Sequence, residues 1–260
     1  MSSPQPAHST KHLPQLSYPF QHSTFILNQQ TDGSHNGTAL WLGGQILALF
    51  LANFHARFTT NKAPPRAIEL GSGIGLTALA LSSLGWDVLA TDIRHVVDAV
   101  LSKNIDLNAT ALPPASGTIQ IRELDWTVEP DKWSWRNPVS VTSSAPTVNP
   151  PSSLLQPPFD LIFSADTVYS RELVSPLLRT LHSLSTLSQS LSGRYPTILL
   201  CVENRDPILL AALFEEARQE WNFGVDRIPR TRLAKCIEKA GLGWDKEDWA
   251  GVEIWKLRLS

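Results

Sequence analysis

The stretch Glu69-Leu-Gly71-Ser-Gly73-Ile-Gly75 joins an apolar run of strand length, residues 67–70, to an apolar run of helix length, residues 76–84. Three glycines alternating over five positions let the backbone turn sharply and come close to anything bound there. The same strand-then-helix alternation recurs along the chain. Residues 87–91, 118–124, 159–164 and 197–203 read as strands, and 96–107, 172–187 and 207–221 as helices. Residues 225–228 and 252–259 finish as strands. This order predicts an α/β fold: a doubly wound, mainly parallel sheet of seven strands. A stretch of roughly 20 residues separates the last two strands, which leaves room for one of them to return antiparallel.

Two regions fall outside that rhythm. Residues 1–36 read as an N-terminal tail with a short strand or hairpin extension, with alternating apolar Tyr18, Phe20, Phe25 and Leu27. Asp32-Gly33 and Asn36-Gly37 supply turn signals. The main domain then covers residues 37–260, opening on a helix that reaches about Phe58, with Thr38 as its N-cap. Residues 137–158 hold six prolines and five serines in 22 positions, a composition that predicts a mobile surface insertion.

In an open α/β sheet, ligands bind beyond the carboxyl ends of the strands. Those ends carry Glu69, Asp92, Asp125-Trp126, Ala165-Asp166 and Glu203-Asn204. A phosphate-binding turn offers amides to an anion and avoids a carboxylate at the position of Glu69. A carboxylate there suits a cationic ligand such as the ammonium and sulfonium of S-adenosylmethionine. Asp92 is placed to accept from ribose hydroxyls, Asp125 from an exocyclic amine, and the Trp126 indole to pack on a base. Leu76 occupies the place of a dinucleotide fingerprint's third glycine, and the P-loop lysine is absent. Each residue alone has a plainer reading: a tight turn for the glycines, a helix cap for Asp92, a core position for Trp126. Together they predict a nucleoside-binding site.

Composition sets the remaining bounds. The net charge of −2 gives no support to bulk nucleic-acid binding. Cys201 and Cys236 make no metal pattern and no disulfide framework, the seven histidines show no metal spacing, and a reducing compartment is the simplest inference. The longest apolar stretch, residues 39–54, falls short of the roughly 20 residues that span a bilayer. A soluble cytoplasmic protein, or a nuclear one, is the expectation.

These motifs resemble the seven-β-strand, S-adenosylmethionine-dependent methyltransferases, and among them the family-16 group dominated by protein-lysine methyltransferases. The resemblance rests on residues 67–76 (AIELGSGIGL), 88–92 (VLATD), Leu124-Asp-Trp126, and above all 159–169 (FDLIFSADTVY), which holds an Asp-x-x-Tyr signature in Asp166 and Tyr169. Trp41 and Asn104 match as well. It implies S-adenosylmethionine as cofactor, with Trp41, Gly71, Gly73, Asp92, Trp126 and Ala165 lining its pocket; Glu69, Ser72, Gly75, Ile93 and Asp125 complete the candidate cofactor site. It also implies Asp166 and Tyr169 as the groups facing the acceptor nitrogen. A monomer acting on a protein substrate, by analogy a translation factor or chaperone, is the expectation, with no membrane and no metal.

Two other readings stay open. One is a methyltransferase for a small molecule or a different protein side chain. The other is an adaptor that keeps the cofactor fold without turnover.

Overall fold

The computed structural model describes residues 3–31, 33, 36–59, 64–142 and 153–259. Two strands, β1 (Gln15–Phe20) and β2 (Ser23–Asn28), form an antiparallel hairpin with Tyr18 opposite Phe25 and Leu16 opposite Leu27. Seven further strands make one sheet: β3 (Arg66–Leu70), β4 (Asp87–Asp92), β5 (Ile119–Glu123), β6 (Leu161–Ala165), β7 (Thr197–Glu203), β8 (Gly224–Arg227) and β9 (Val252–Arg258). Their spatial order is β5-β4-β3-β6-β7-β9-β8. The inner pairs are parallel, and β9 alone runs reversed, antiparallel to both β7 and β8. The doubly wound sheet expected from the sequence is therefore present, with β9 as the antiparallel return.

Alternation along the buried strands sorts side chains onto two faces. Ala67, Val88, Ala90, Leu161, Phe163, Leu199, Cys201 and Ile254 face one layer of helices. That layer holds α1 (Leu42–Phe54), α2 (Leu76–Ser83) and α7 (Arg230–Ala240). Ile68, Leu70, Leu89, Ile162, Ile198, Leu200 and Leu257 face α5 (Val174–Ser192) and α6 (Pro207–Gln219) on the other side. On α5, Leu177, Leu178, Leu181, Leu184 and Ser188 recur at helical spacing and are buried, so one stripe of the helix packs on the sheet. Burying each such leucine contributes roughly 1.5–3 kcal/mol.

Between β4 and β5 the chain forms α3 (Arg94–Val96), one π-helical turn (Val97–Leu101) and α4 (Ser102–Asn108). Two asparagines on α4 sew the hairpin to the domain. Asn104 accepts from the Asn28 amide and donates to the Asn28 and Ile74 carbonyls, while Asn108 accepts from the Ile26 amide and donates to the Ile26 carbonyl. The N-terminal segment is packed as well. Ala7 is buried, its amide donates to the Gln45 side chain, and Gln29 donates to the Thr10 and Leu13 carbonyls.

One sequence expectation differs from this picture, and two others fall partly outside the described residues. Thr38 does not cap α1; it lies buried in a short 3-10 turn, Asn36–Thr38, and α1 begins at Leu42. Asp32 of the first turn signal lies outside the described residues, as do residues 143–152 of the 137–158 insertion. The described ends of that insertion pack against β5. Val141 is buried and pairs with Glu123, and the Gln120 side chain holds the Ser153 carbonyl and the Leu155 amide.

Candidate functional site

The strand order reverses between β3 and β6, and beyond the carboxyl ends of β3, β4, β5 and β6 lies a cavity of about 520 Å³. Crevices at such a reversal are where doubly wound sheets bind ligands. Trp41, Glu69, Gly71, Ser72, Gly73, Asp92, Ile93, Asp125, Trp126 and Ala165 all line it, together with Asp166 and Tyr169. Gly75 does not. It caps α2 in a left-handed conformation, and a Cβ there would press on Leu101 and Ile105, so its place is in the turn and not on the cavity wall.

The glycine turn has a defined scaffold. The Ser72 amide donates to the Thr91 carbonyl and the Ser72 hydroxyl accepts from the Thr91 amide, pinning the turn to β4. Gly71 has φ of 72°, and a Cβ on it would lie 2.5 Å from the Thr167 methyl and 3.5 Å from the Trp126 ring. Any side chain there would be strained and would displace a wall of the cavity. The Gly73 amide donates to Asp92 Oδ2 at 2.8 Å, and the Ile93 amide donates to Asp92 Oδ1. The Asp92 carboxylate is thus oriented by backbone while keeping acceptor capacity for hydroxyls. Burial pushes it up to about 6, against those two amide bonds.

Glu69 is the most telling group. It is 1% exposed, and its Oε2 has no hydrogen-bond partner. Burial raises its carboxyl to about 8; hydrogen bonds from Ser72, Thr77 and the Ala78 amide oppose the rise, and the charge on Asp92 adds to it. A buried acid with an unpaired oxygen on a cavity wall is costly by itself, and a cation placed there would relieve it. Asp125 is partly occupied, accepting from the Thr127 amide and hydroxyl. The Trp126 indole N–H is buried and unpartnered.

Asp166 sits just past β6 with φ of 54°. Its Oδ2 accepts from the Gly43 amide at 2.6 Å and its Oδ1 from the Glu203 amide at 2.9 Å. Burial again dominates, holding the carboxyl at about 6. Tyr169 is 55% exposed, and burial followed by the charge on Asp92 raises its phenol.

A second cavity, about 200 Å³, adjoins the first. Asn36, Trp41, Asp166 and Tyr169 line both. The smaller one continues along Val168, Glu203, Asn204, Arg205, Asp206 and Leu209. Sequence reasoning missed Gly37, Gly44, Thr77, Leu124 and Thr167 as cavity residues. Thr77 was findable, because it follows the glycine turn on the first turn of α2. Gly37 was marked only as part of a turn signal, and Gly44 and Thr167 carried no local signal.

Counted within the large sheet, the strand order is 3-2-1-4-5-7-6, and a glycine turn at its switch point is flanked by acids at successive strand ends. That order is the Rossmann-like fold of the S-adenosylmethionine-dependent methyltransferases, with a cavity at the place where such a sheet binds its ligand. The cofactor's chemistry fits the residues present: the unpaired Glu69 oxygen meets a cationic ligand, and the cavity has the volume of a nucleoside-sized site.

Residues 20–141 match the family model described as lysine methyltransferase. Protein-lysine methyltransferase METTL21E of Mus musculus is 28% identical over 151 residues, covering 57% of this chain and 51% of that protein. Methyltransferase-like protein 22 of Homo sapiens is 26% identical over 172 residues, covering 65% and 38%. EEF1A lysine methyltransferase 3 of Xenopus tropicalis is 24% identical over 165 residues, covering 63% and 62%. The chain thus spans about half the length of the first of these relatives.

Among solved structures, the Pyrococcus abyssi tRNA (uracil-54, C5)-methyltransferase in complex with S-adenosyl-L-homocysteine aligns with a TM-score of 0.48 and 13% identity, covering 94% of this chain and 44% of that one. The N-terminal domain of human METTL16 aligns at 0.46 and 13%, covering 89% and 75%. The fold assignment rests on the strand order itself.

Proposed function

We propose that this chain transfers a methyl group from S-adenosylmethionine to the ε-amine of a lysine in a protein substrate. One observation carries the reading: the cofactor cavity opens beside a second, smaller cavity, and Asp166, Tyr169 and Trp41 stand at their junction. A side chain entering the second cavity meets Asp166, Glu203 and Asp206 against one cation, Arg205, which pairs with Glu203, so the lining keeps an acidic balance that suits a cationic acceptor.

When bound, S-adenosylmethionine supplies an electrophilic methyl carbon on a positively charged sulfur. Glu69 would hold the cofactor's ammonium end, Asp92 its ribose hydroxyls, and Asp125 with Trp126 its base. Gly71 and Gly73 leave the room that close approach needs. The acceptor amine has an ordinary pKa near ~10.4 and reacts only when neutral. The apolar parts of the junction, Trp41 and Val168, lower that value by desolvation. Asp166 accepts a hydrogen bond from the amine and aims its lone pair, while its two backbone bonds keep the carboxylate fixed. The proton leaves to solvent past Tyr169, which is exposed at the rim.

The free, buried Cys201 and Cys236 fit a reducing compartment such as the cytoplasm. Among the described residues no helix is long and apolar enough to cross a membrane. Labelled S-adenosylmethionine, purified protein and a lysate lacking the enzyme give the test. A discrete labelled protein band, with label on lysine, is the expected result. The protein in the Xenopus tropicalis relative's name, EEF1A, is the first single substrate to try. Label confined to small molecules, or none despite cofactor binding, would overturn the reading.

A further inference from the structure

The N-terminal segment brings a lysine of the chain itself against Trp41, a wall residue that the two cavities share, although Lys11 lines neither cavity. Lys11 Nζ donates to the Leu40 carbonyl at 2.6 Å and lies 3.2 Å from the centroid of the Trp41 ring. Leu40 lines the larger cavity and Trp41 lines both. The charges of Asp166 and Glu203 act on this ammonium from the acceptor side, and so does the Arg205 guanidinium, whose Cζ lies 4.5 Å from the same indole.

The placement is built, and it does not depend on one flexible side chain. The backbone on either side of Lys11 is tied down where Gln29 Nε2 donates to the Thr10 and Leu13 carbonyls. Gln29 Oε1 in turn accepts from the Leu40 amide, so one side chain fixes both the Lys11 segment and the wall that Lys11 contacts. Further up, Ala7 and Gln5 bond to Gln45 on α1.

Resting on the methyltransferase reading above, we infer that Lys11 is an intramolecular acceptor, and that this protein methylates its own Lys11. The step balances without any further reagent. The neutral Lys11 nitrogen gives its lone pair to the methyl carbon of the sulfonium, forming a C–N bond. The C–S bond breaks with its electron pair remaining on sulfur, S-adenosylhomocysteine is the product, and the spent ammonium proton passes to solvent. Burial and the neighbouring Arg205 lower Lys11 to about 8, so a useful fraction is neutral near physiological pH. The product stays cationic once it is protonated or fully methylated, and keeps its attraction to the Trp41 face. Full methylation removes the N–H that reaches Leu40, which would loosen the segment from the site.

Purified full chain is incubated with isotope-labelled S-adenosylmethionine at several protein concentrations, and peptides are mapped by mass. Label of one to three methyl groups on Lys11, at a per-chain rate that does not change on tenfold dilution, is the expected result. Lys11→Arg should remove it. A second measurement uses no turnover: acetylation of the amines by acetic anhydride across a pH series. Lys11 should react with a midpoint near 8 and be slowed by S-adenosylhomocysteine. An unlabelled Lys11, in protein that labels a lysate substrate, overturns the inference and leaves the methyltransferase reading standing. Acetylation of Lys11 indistinguishable from that of the other lysines, with no protection, overturns it too. Failure of cofactor binding and of all labelling overturns both.

Discussion

Asp166 and Gly43 lie 123 residues apart, yet an oxygen of the Asp166 carboxylate accepts the Gly43 amide at 2.6 Å and so caps the first turn of α1 from the end of β6. Trp41, the residue before α1, is extended and makes no side-chain cap of its own. The carboxylate sits at the positive end of that helix, where its charge is favoured. A second amide, from Glu203, fixes the other oxygen at the end of β7. One side chain therefore ties α1, β6 and β7 together at the point where the two cavities meet.

Gly43 leaves no room for a larger residue. A Cβ would fall 2.5 Å from Asp166 Oδ1, so Gly43→Ala must push the carboxylate aside. Overpacking of this kind costs about 1–3 kcal/mol. We expect a lower melting temperature together with a large fall in turnover. Gly44→Ala is the control for the thermal measurement, since its nearest neighbour, Thr77 Oγ1, would lie 3.7 Å away in ordinary contact. Thermal denaturation of both variants side by side checks the difference.

Asp166→Asn keeps the shape and removes the charge, and turns one face of the group into a donor aimed at a backbone N–H. Turnover should fall by about 10²-fold or more, the scale for losing a positioned polar group at a reacting centre. Cofactor affinity should change little, because Glu69, Asp92 and Asp125 are untouched. Tyr169→Phe, at an exposed position, should lower turnover without moving the melting temperature. Steady-state kinetics and cofactor titration of each variant separate the two effects. Full activity in both would remove them from the acceptor site.

Glu69 should make cofactor binding pH-dependent. Its carboxyl is raised from 4.5 to about 8, so the folded, unliganded protein holds a proton there that the unfolded chain gives up earlier. The sign follows: this group's contribution to stability is fullest below pH 4.5 and is lost as pH rises to about 8. A cationic ligand beside Glu69 favours the ionised form, so binding releases a proton and tightens as pH rises through that window. Calorimetric titration in buffers of different ionisation heat measures the proton directly. Glu69→Gln should abolish the release and weaken binding; unchanged proton release in the variant would assign it elsewhere.

Asn104 is fully buried and bonds both to Asn28 on the hairpin and to the Ile74 carbonyl in the glycine turn. Asn104→Ala leaves those backbone groups unpaired, at about 1–3 kcal/mol for each one that stays dry. The hairpin should exchange its amide hydrogens faster than in the wild type, and cofactor affinity should fall because the turn loses a support. Hydrogen exchange localised to β1 and β2 is the check. Uniform loss of protection throughout would mean a global effect instead.

Local patterns made most of the sheet legible. Alternation along β3 to β7, helical spacing on α5 and the glycine turn are properties of neighbouring residues, so a window of a few positions reveals them. Strand ends could then be named, and with them Glu69, Asp92, Asp125, Trp126 and Asp166. Thr38 misled the reading because a threonine before an apolar run looks like a cap, whereas the cap came from Asp166. The insertion at 137–158 was read from composition alone. Composition gave no sign that Val141 and Leu155 would anchor its described ends on and near β5.

Residues close together in the chain are enough to set the alternating α/β order, the sharp turn at Gly71 to Gly75 and the acids at the strand ends. Tertiary structure alone decided that Gly75 shapes the turn without lining the cavity, that Asp166 caps α1, and that a second cavity opens at Trp41 and Tyr169. It also decided that Lys11 packs on the ring of Trp41. Those facts depend on where the N-terminal segment, α1 and the ends of β6 and β7 meet, and burial and hydrogen bonding between distant segments set that meeting point.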